Sequence, residues 1–186
     1  MKRVLFMMIA LVACVGIAQA QSVKDERAKV REERRMEQAR LDSLYYLQAV
    51  KAIEAKSYVL EADRVIFKRG ETAYVSSNTN FVVVDGDKAT VQIAFNVPVS
   101  GPNGIGGITV DGTITNYESK TDKKGTLYIN FYVNGVGISA RVDITLPYQG
   151  ADARVTVSPN FNSNRLTLDG HILPLGQSNI YKGRAL

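Results

Sequence analysis

The sequence predicts a mainly β protein, an antiparallel β-sandwich or up-and-down barrel-like sheet of about nine or ten strands, preceded by an N-terminal helix. Three observations carry this. From Tyr58 onward apolar residues recur with a period of two, and many are β-branched or aromatic. Gly, Asn and Asp interrupt that alternation at short intervals, as turns require. The stretch from Ser22 to Ser57, by contrast, contains no Gly or Pro and is rich in Glu, Arg, Lys, Ala and Leu.

The chain opens on MKRVLFMMIALVACVGIAQA, which has the grammar of an export signal. Lys2 and Arg3 are a positive start, Val4 to Ile17 an apolar run, and Ala18-Gln19-Ala20 a small-residue cleavage site. An apolar run of about 14 residues falls short of the roughly 20 that span a bilayer. Leu11-Val12-Ala13-Cys14 also has the form of a lipoprotein acylation site, so lipid anchoring through Cys14 stands as the alternative to a soluble exported form. The expected organisation is a signal peptide over 1–20, a charged helical segment over 21–57 and one β domain over 58–186.

Losing the leader changes the composition. Cys14 is the sole cysteine, so a form starting at Gln21 has no disulfide, no thiol nucleophile and no Cys-ligated zinc. The net charge of +5 also loses Lys2 and Arg3. Residues 22–57 carry nine basic and seven acidic groups, and residues 58–186 twelve and eleven. Such a balance gives no basic face, which argues against nucleic acid as a partner.

Within the helical segment, KDERAKVREERRMEQAR is polar all round, with pairs such as Asp25/Lys29, Glu32/Arg35 and Glu37/Arg40. An apolar stripe at spacings of three and four then begins: Met36, Ala39, Ser43, Tyr46, Val50 and Ile53, with Leu47 beside it. This half is expected to pack on the β domain, and the earlier half to be a solvated arm.

In the β region, Ala89, Val91, Ile93, Phe95 and Val97 alternate with polar neighbours, and Ile108, Val110 and Ile114 do likewise. Leu127, Ile129, Phe131 and Val133 lead into Asn134-Gly135, a hairpin signal. A two-residue turn there sets Phe131 opposite Ile138, Ile129 opposite Ala140 and Leu127 opposite Val142. It also sets Tyr128 opposite Arg141, a cation–π pair. At Asp85-Gly86-Asp87 a three-residue loop places Val83 opposite Ala89 and Phe81 opposite Val91. Further strands are expected near 58–62, 64–69, 72–77, 152–158 and 165–173.

No segment presents a convergent catalytic set. The Gly-rich Ser100–Gly107 stretch runs into alternating residues rather than a helix, so it reads as an inter-strand loop, not a phosphate cradle. Ser158–Arg165 reads as a turn-forming loop whose amides could also meet a sugar. His171, the single histidine, shares strand parity with Arg165, Thr167 and Asp169, and projects from the polar face. Asp111, Asp143 and Asp169 lie on the polar sides of their strands and would need to be neighbours to work as a carboxylate pair. No residue is assigned as catalytic, cofactor-binding or metal-ligating, and no cofactor is implied.

Four segments carry a resemblance: Ser57-Tyr-Val-Leu-Glu-Ala-Asp63, Phe95-Asn-Val-Pro-Val-Ser-Gly101, Gly137-Ile-Ser-Ala-Arg-Val-Asp-Ile144 and Ser158-Pro-Asn-Phe-Asn-Ser-Asn-Arg-Leu-Thr-Leu-Asp-Gly170. With the leader and charged helix, they make the chain resemble a family of exported Gram-negative bacterial proteins catalogued as domain of unknown function 4251 (DUF4251). That family carries no assigned activity, so the resemblance implies no catalytic residue.

The expectation is therefore a non-enzymatic periplasmic or cell-envelope protein with a binding or structural role. The alternatives are a carrier of a small apolar ligand, with Phe81, Ile93, Ile129 and Phe131 lining a barrel cavity, and a glycan-acting hydrolase. The candidate partners are an envelope component or a small ligand, with membrane contact only through a lipid on Cys14.

Overall fold

The computed structural model describes residues 2–94, 107–136, 138–160 and 165–182, with side chains from Lys24 onward and Ile108's excepted. The strand expected through Phe95 and Val97, the Gly-rich stretch over 100–106, the centre of the 158–165 loop and the Cys14 side chain lie outside what is described. Residues divide into two units, Met1–Leu41 and Asp42–Leu186. Helix α1 spans Lys2–Glu54. In the first unit, residues 24–40 are exposed all round, as their polar composition dictates. Among the described residues no helix is long and apolar enough to cross a membrane.

The second unit is a β-barrel. Its strands are β1 (Ser57–Phe67), β2 (Thr72–Tyr74), β3 (Phe81–Asp85), β4 (Lys88–Ala94), β5 (Gly107–Thr121), β6 (Leu127–Gly135), β7 (Ser139–Leu146), β8 (Asp152–Pro159) and β9 (Leu166–Pro174). Neighbours pair antiparallel in chain order from β3 to β9, and β1 closes the sheet by pairing with β3 on one side and β9 on the other. Eight strands thus form a closed up-and-down barrel. β2 is an extra strand on the distal half of β1, from Arg64 to Ile66.

Alternation sorts the side chains. On β6, Leu127, Ile129, Phe131 and Val133 are buried inside, whereas Tyr128, Tyr132 and Asn134 are exposed outside. β7, β8 and β9 repeat the pattern with Val142, Ile144 and Leu146, with Val155 and Val157, and with Leu168 and Ile172. An eight-stranded barrel is just wide enough for such side chains to fill it. Tyr58, Leu60, Ile129, Phe131, Ile144, Leu146, Leu168 and Ile172 are fully buried in one cluster.

Helix residues complete that cluster. Ala49, Ala52 and Ile53 join it, and Tyr46 and Val50 pack against it. The Tyr46 hydroxyl donates to Gly125 O in the β5–β6 turn (2.6 Å), and the Gly150 amide of the β7–β8 loop donates to Asp42 O (3.0 Å). Residues 42–54 therefore stopper the barrel end from which β1 starts. The helix stops because Lys56 turns left-handed (φ 48°), and β1 begins one residue later.

Several expectations are corrected. Packing begins at Asp42 rather than Met36, which is 62% exposed, and Leu47 also faces solvent. The expected strands 58–62 and 64–69 are one strand with a bulge at Asp63, where the β9 register shifts between Ala62 and Arg64. The β6–β7 register lies four residues from the expected one: Phe131 pairs with Val142, Ile129 with Ile144 and Leu127 with Leu146. Asn134 pairs with Ser139, so Gly135 to Ile138 span the turn, closed by the Gly135 amide on Ile138 O (2.9 Å). The longer turn gives Ile144 and Leu146 apolar partners that the tighter one leaves overhanging, and full matching of the dry faces wins. At β3–β4 the turn is Gly86-Asp87, with Gly86 at φ +59°, and Val82 rather than Phe81 faces Val91. Phe81 and Val83 consequently point outward, and Phe81 is removed from the expected cavity lining.

Candidate functional site

The bulge at Asp63 sets the outer surface of the β1 side. By advancing the register, it brings Arg64 opposite Asp169 on β9. Asp169 in turn faces Arg154 on β8, Arg154 faces Thr145 on β7, and Arg64 faces Tyr74 on β2. The result is one row across five strands: Thr145, Arg154, Asp169, Arg64, Tyr74. A second row lies one outward position along, where His171 faces Asp152 on β8 and Glu61 on β1.

Both rows are bonded. Arg154 donates to Asp169 through Nε (Oδ1, 2.7 Å) and Nη2 (Oδ2, 3.0 Å), and Arg64 Nη2 donates to the same Oδ2. His171 Nδ1 pairs with Asp152 Oδ1 at 2.6 Å. The bonds from Arg154 hold the Asp169 carboxyl below the ordinary carboxylate range against the opposing push of partial burial, and Arg64 adds to them. The same carboxylate raises the pKa of Arg154. Asp169 is only 14% exposed at its side chain, so it is the anchor of the row.

All of these residues but Glu61 line a groove of about 620 Å³ on the outer wall, together with Asp63, Pro147, Ala153 and Gly170. A guanidinium carries five N–H donors in a fixed fork. Arg154 commits two and Arg64 one to Asp169, which leaves donors on both for another molecule. Asp63 and Asp152 supply acceptors, and Tyr74, 84% exposed, supplies an aromatic face. Such a lining alternates donor, acceptor and ring.

The sequence candidates disperse. Asp169 and His171 lie in the groove. Asp111 is on the outer side of β5, bonded by Lys182 Nζ (2.6 Å) and Thr90 Oγ1 (2.8 Å). Asp143 on β7 takes bonds from Arg141 Nε and Nη2. Intervening strands separate the three, so they do not form the facing carboxylate pair of a glycosidase. Arg141 lies over Tyr132 (5.9 Å to the ring centroid), not Tyr128, because the true register pairs those two. Among the described residues, no three His, Cys, Asp or Glu side chains gather as a metal site would need.

Arg64, Tyr74, Asp152 and Arg154 escaped the sequence reading. For Asp152 and Arg154 a signal existed: both alternate with buried Ala153 and Val155, which places them outside. Their neighbours follow only from the register. A buried polar network, also unforeseen, lies outside β3 to β5. Gln92 Nε2 donates to Thr79 O (3.1 Å), Thr109 Oγ1 donates to Gln92 Oε1 (3.2 Å), and Asn80 Oδ1 accepts from the Ala94 amide (2.8 Å).

Fold and groove define a closed antiparallel barrel with a filled interior and a polar recess on its outer wall. The chain belongs to the family described as domain of unknown function (DUF4251), whose model matches residues 40–172. It is similar to a DUF4251 family protein from Bacteroides eggerthii DSM 20697, known from a crystal structure at 1.95 Å resolution. The identity is 51%, the match covers 80% of this chain and 99% of that one, and the TM-score is 0.68. None of the curated proteins matches the chain.

Proposed function

We propose that this chain is a non-enzymatic binding protein of the bacterial cell envelope, and that its ligand docks in the outer-wall groove. The observation that carries the reading is the cross-strand row Arg154–Asp169–Arg64, ending on exposed Tyr74. Its guanidinium forks are fixed by Asp169 before any ligand arrives, so binding loses little side-chain freedom. Interleaved donors and acceptors beside an aromatic face fit a neutral, hydroxyl-rich molecule such as an oligosaccharide. The export signal over residues 1–20 supports the compartment.

An apolar carrier draws less support. Ile129 and Phe131, expected to line a cavity, are packed among Tyr58, Leu60 and Leu168 with no accessible surface to offer. A hydrolase draws less still from Asp111, Asp143 and Asp169, which lie on different strands and are tied to different cations.

Calorimetric titration of the full chain with neutral oligosaccharides tests the reading. Saturable binding is expected, weakened at least about tenfold by Arg154→Ala or Tyr74→Ala and unchanged by Asp143→Ala on another wall. Absence of binding across the panel, or binding indifferent to Arg154→Ala and Tyr74→Ala, overturns the groove. Turnover of any panel member that is lost on His171→Ala overturns the non-enzymatic reading. Export is checked separately, by the N-terminal residue of the protein recovered from cell fractions.

A further inference from the structure

Past β9 the chain makes a single 3-10 turn, Leu175–Gln177, and residues 178–182 then contact outward-facing side chains of β1, β4 and β5 and the segment that leads into β3. They do so without joining the sheet. Ser178 Oγ donates to Glu61 Oε1 on β1. The Tyr181 amide donates to Asn78 O (2.7 Å), and Tyr181 O accepts from Gln92 Nε2 on β4 (2.7 Å). Lys182 Nζ reaches Asp111 Oδ2 on β5 (2.6 Å).

The wall at these contacts is built rather than incidental. Gln92 has no exposed surface, and its amide is oriented by the bonds from Thr109 and to Thr79 O. Asp111 is steadied by Thr90 Oγ1, itself on a buried residue. Val59 and Phe81, which alternate to this outer side, are fully buried as well.

Recognition is selective in what it reads. Gln92 and Asn78 contact the main chain at position 181, while Tyr181 as a residue is 63% exposed. The side chains that are read are Ser178 and Lys182. An extended segment of pattern Ser-x-x-x-Lys satisfies all four contacts, whatever ring or chain stands before the lysine. The Lys182–Asp111 pair is partly exposed on both sides, so the attachment can open locally from this end without unfolding the barrel.

From this we infer that the outer wall of β1 and β3–β5 is a recognition site for extended Ser-x-x-x-Lys peptide segments, occupied in this chain by its own residues 178–182 as a displaceable ligand. The partner is a protein presenting such a segment, and it competes with the tail. The inference is independent of the ligand in the groove. Because the tail is tethered, it competes at an effective concentration on the order of millimolar, so a free peptide binds the intact chain weakly.

The test uses a fluorescein-labelled peptide with the sequence of residues 176–184 and the full chain carrying Lys182→Glu, which loosens the tail. Fluorescence anisotropy should show saturable binding to this variant, at least about tenfold tighter than to the wild type. Adding Asp111→Asn to the variant should weaken it at least about tenfold. A peptide with its tyrosine replaced by alanine should bind as well as the parent, and one with its lysine replaced by glutamate should not bind. Absence of binding to the Lys182→Glu chain, equal binding to wild type, indifference to Asp111→Asn, or loss with the alanine peptide each overturns the inference. In the wild-type chain, excess unlabelled peptide should speed hydrogen exchange at the Tyr181 amide. This second readout needs no variant to fold, and an unchanged rate also overturns the inference.

Discussion

Asp169 accepts bonds from two guanidiniums on two different strands, and that single carboxylate fixes the geometry of the groove. Its pKa is depressed, so its contribution to stability is present above the unfolded carboxylate value of about 3.9 and is lost as pH falls through the lower folded value. Both arginines are well solvated, which reduces a charge-assisted bond network to about 1 kcal/mol. Asp169→Asn is expected to lower urea stability by that amount at neutral pH, and the difference should shrink as pH falls through the lowered folded value of the native carboxylate. A penalty that persists undiminished into acid would show that the charge is not what stabilises the row. Strand parity alone placed Asp169 and His171 on the wet side. Their partners were not legible, because Arg64 meets Asp169 only through the Asp63 bulge and Asp152 meets His171 only through the β8–β9 register. Parity survives an even slip in register, while pair identity does not, and this is why Arg141 was assigned to Tyr128 rather than Tyr132.

Among the elements, the last three turns of α1 act as a stopper and the rest of the helix does not share in that role. Ile53 is buried in the barrel cluster, and Tyr46 is held by its bond to Gly125 O and an edge contact with Tyr148 (centroids 5.2 Å apart). Burial, followed by the neighbouring Tyr148 and Asp122, raises the Tyr46 phenol pKa above its ordinary value, which favours the protonated form that donates this bond. Ile53→Ala should cost about 3 kcal/mol through lost burial and the cavity left behind. Met36→Ala, on the same periodic stripe, should change stability by less than about 0.5 kcal/mol. Equal effects in chemical denaturation would contradict the assignment of the stopper to residues 42–54. The stripe from Met36 to Ile53 was legible as a period of three and four. Which of its turns has a wall to pack on was not, since periodicity records a face and not a partner. The Phe81-Val-Val-Val84 run failed for a related reason. Apolar at both parities, it buries Val82 and Val84 inside and Phe81 outside, so its pattern could not choose a register.

At the scale of the whole molecule, barrel and sandwich differ in one pairing, β1 with β9, which joins Tyr58 to Pro174 and runs to Phe67 and Leu166. No local pattern encodes a contact between segments so distant in the chain, and strand count with alternation suits either architecture. With the barrel closed, its interior becomes a core. Phe131→Ala should therefore cost about 3–5 kcal/mol and open an apolar hole that binds a benzene-sized probe absent from the wild type. Uptake of that probe by the unmutated chain would restore the carrier reading. One residue permits the closure. Gly170 interrupts the interior series Leu168, Gly170, Ile172, and glycine inside a strand marks a close backbone approach. It faces Ala62 beside the bulge, where a Cβ would lie 2.0 Å from Glu61 O and 2.6 Å from the Ala62 Cα. Both are backbone atoms of β1, so no rotamer change relieves the clash and β1 must move off β9. Gly170→Ala is expected to destabilise by about 3 kcal/mol. Hydrogen exchange should localise the loss to the β1–β9 amides and leave the β6–β7 hairpin protected, since that hairpin does not depend on closure. Gly176→Ala, with open space around the added methyl, is the matched control and should fall within about 0.5 kcal/mol of wild type. Should Gly170→Ala prove as stable as Gly176→Ala, or lose protection evenly around the barrel, the β1–β9 seam would not be the step that turns this sheet into a barrel.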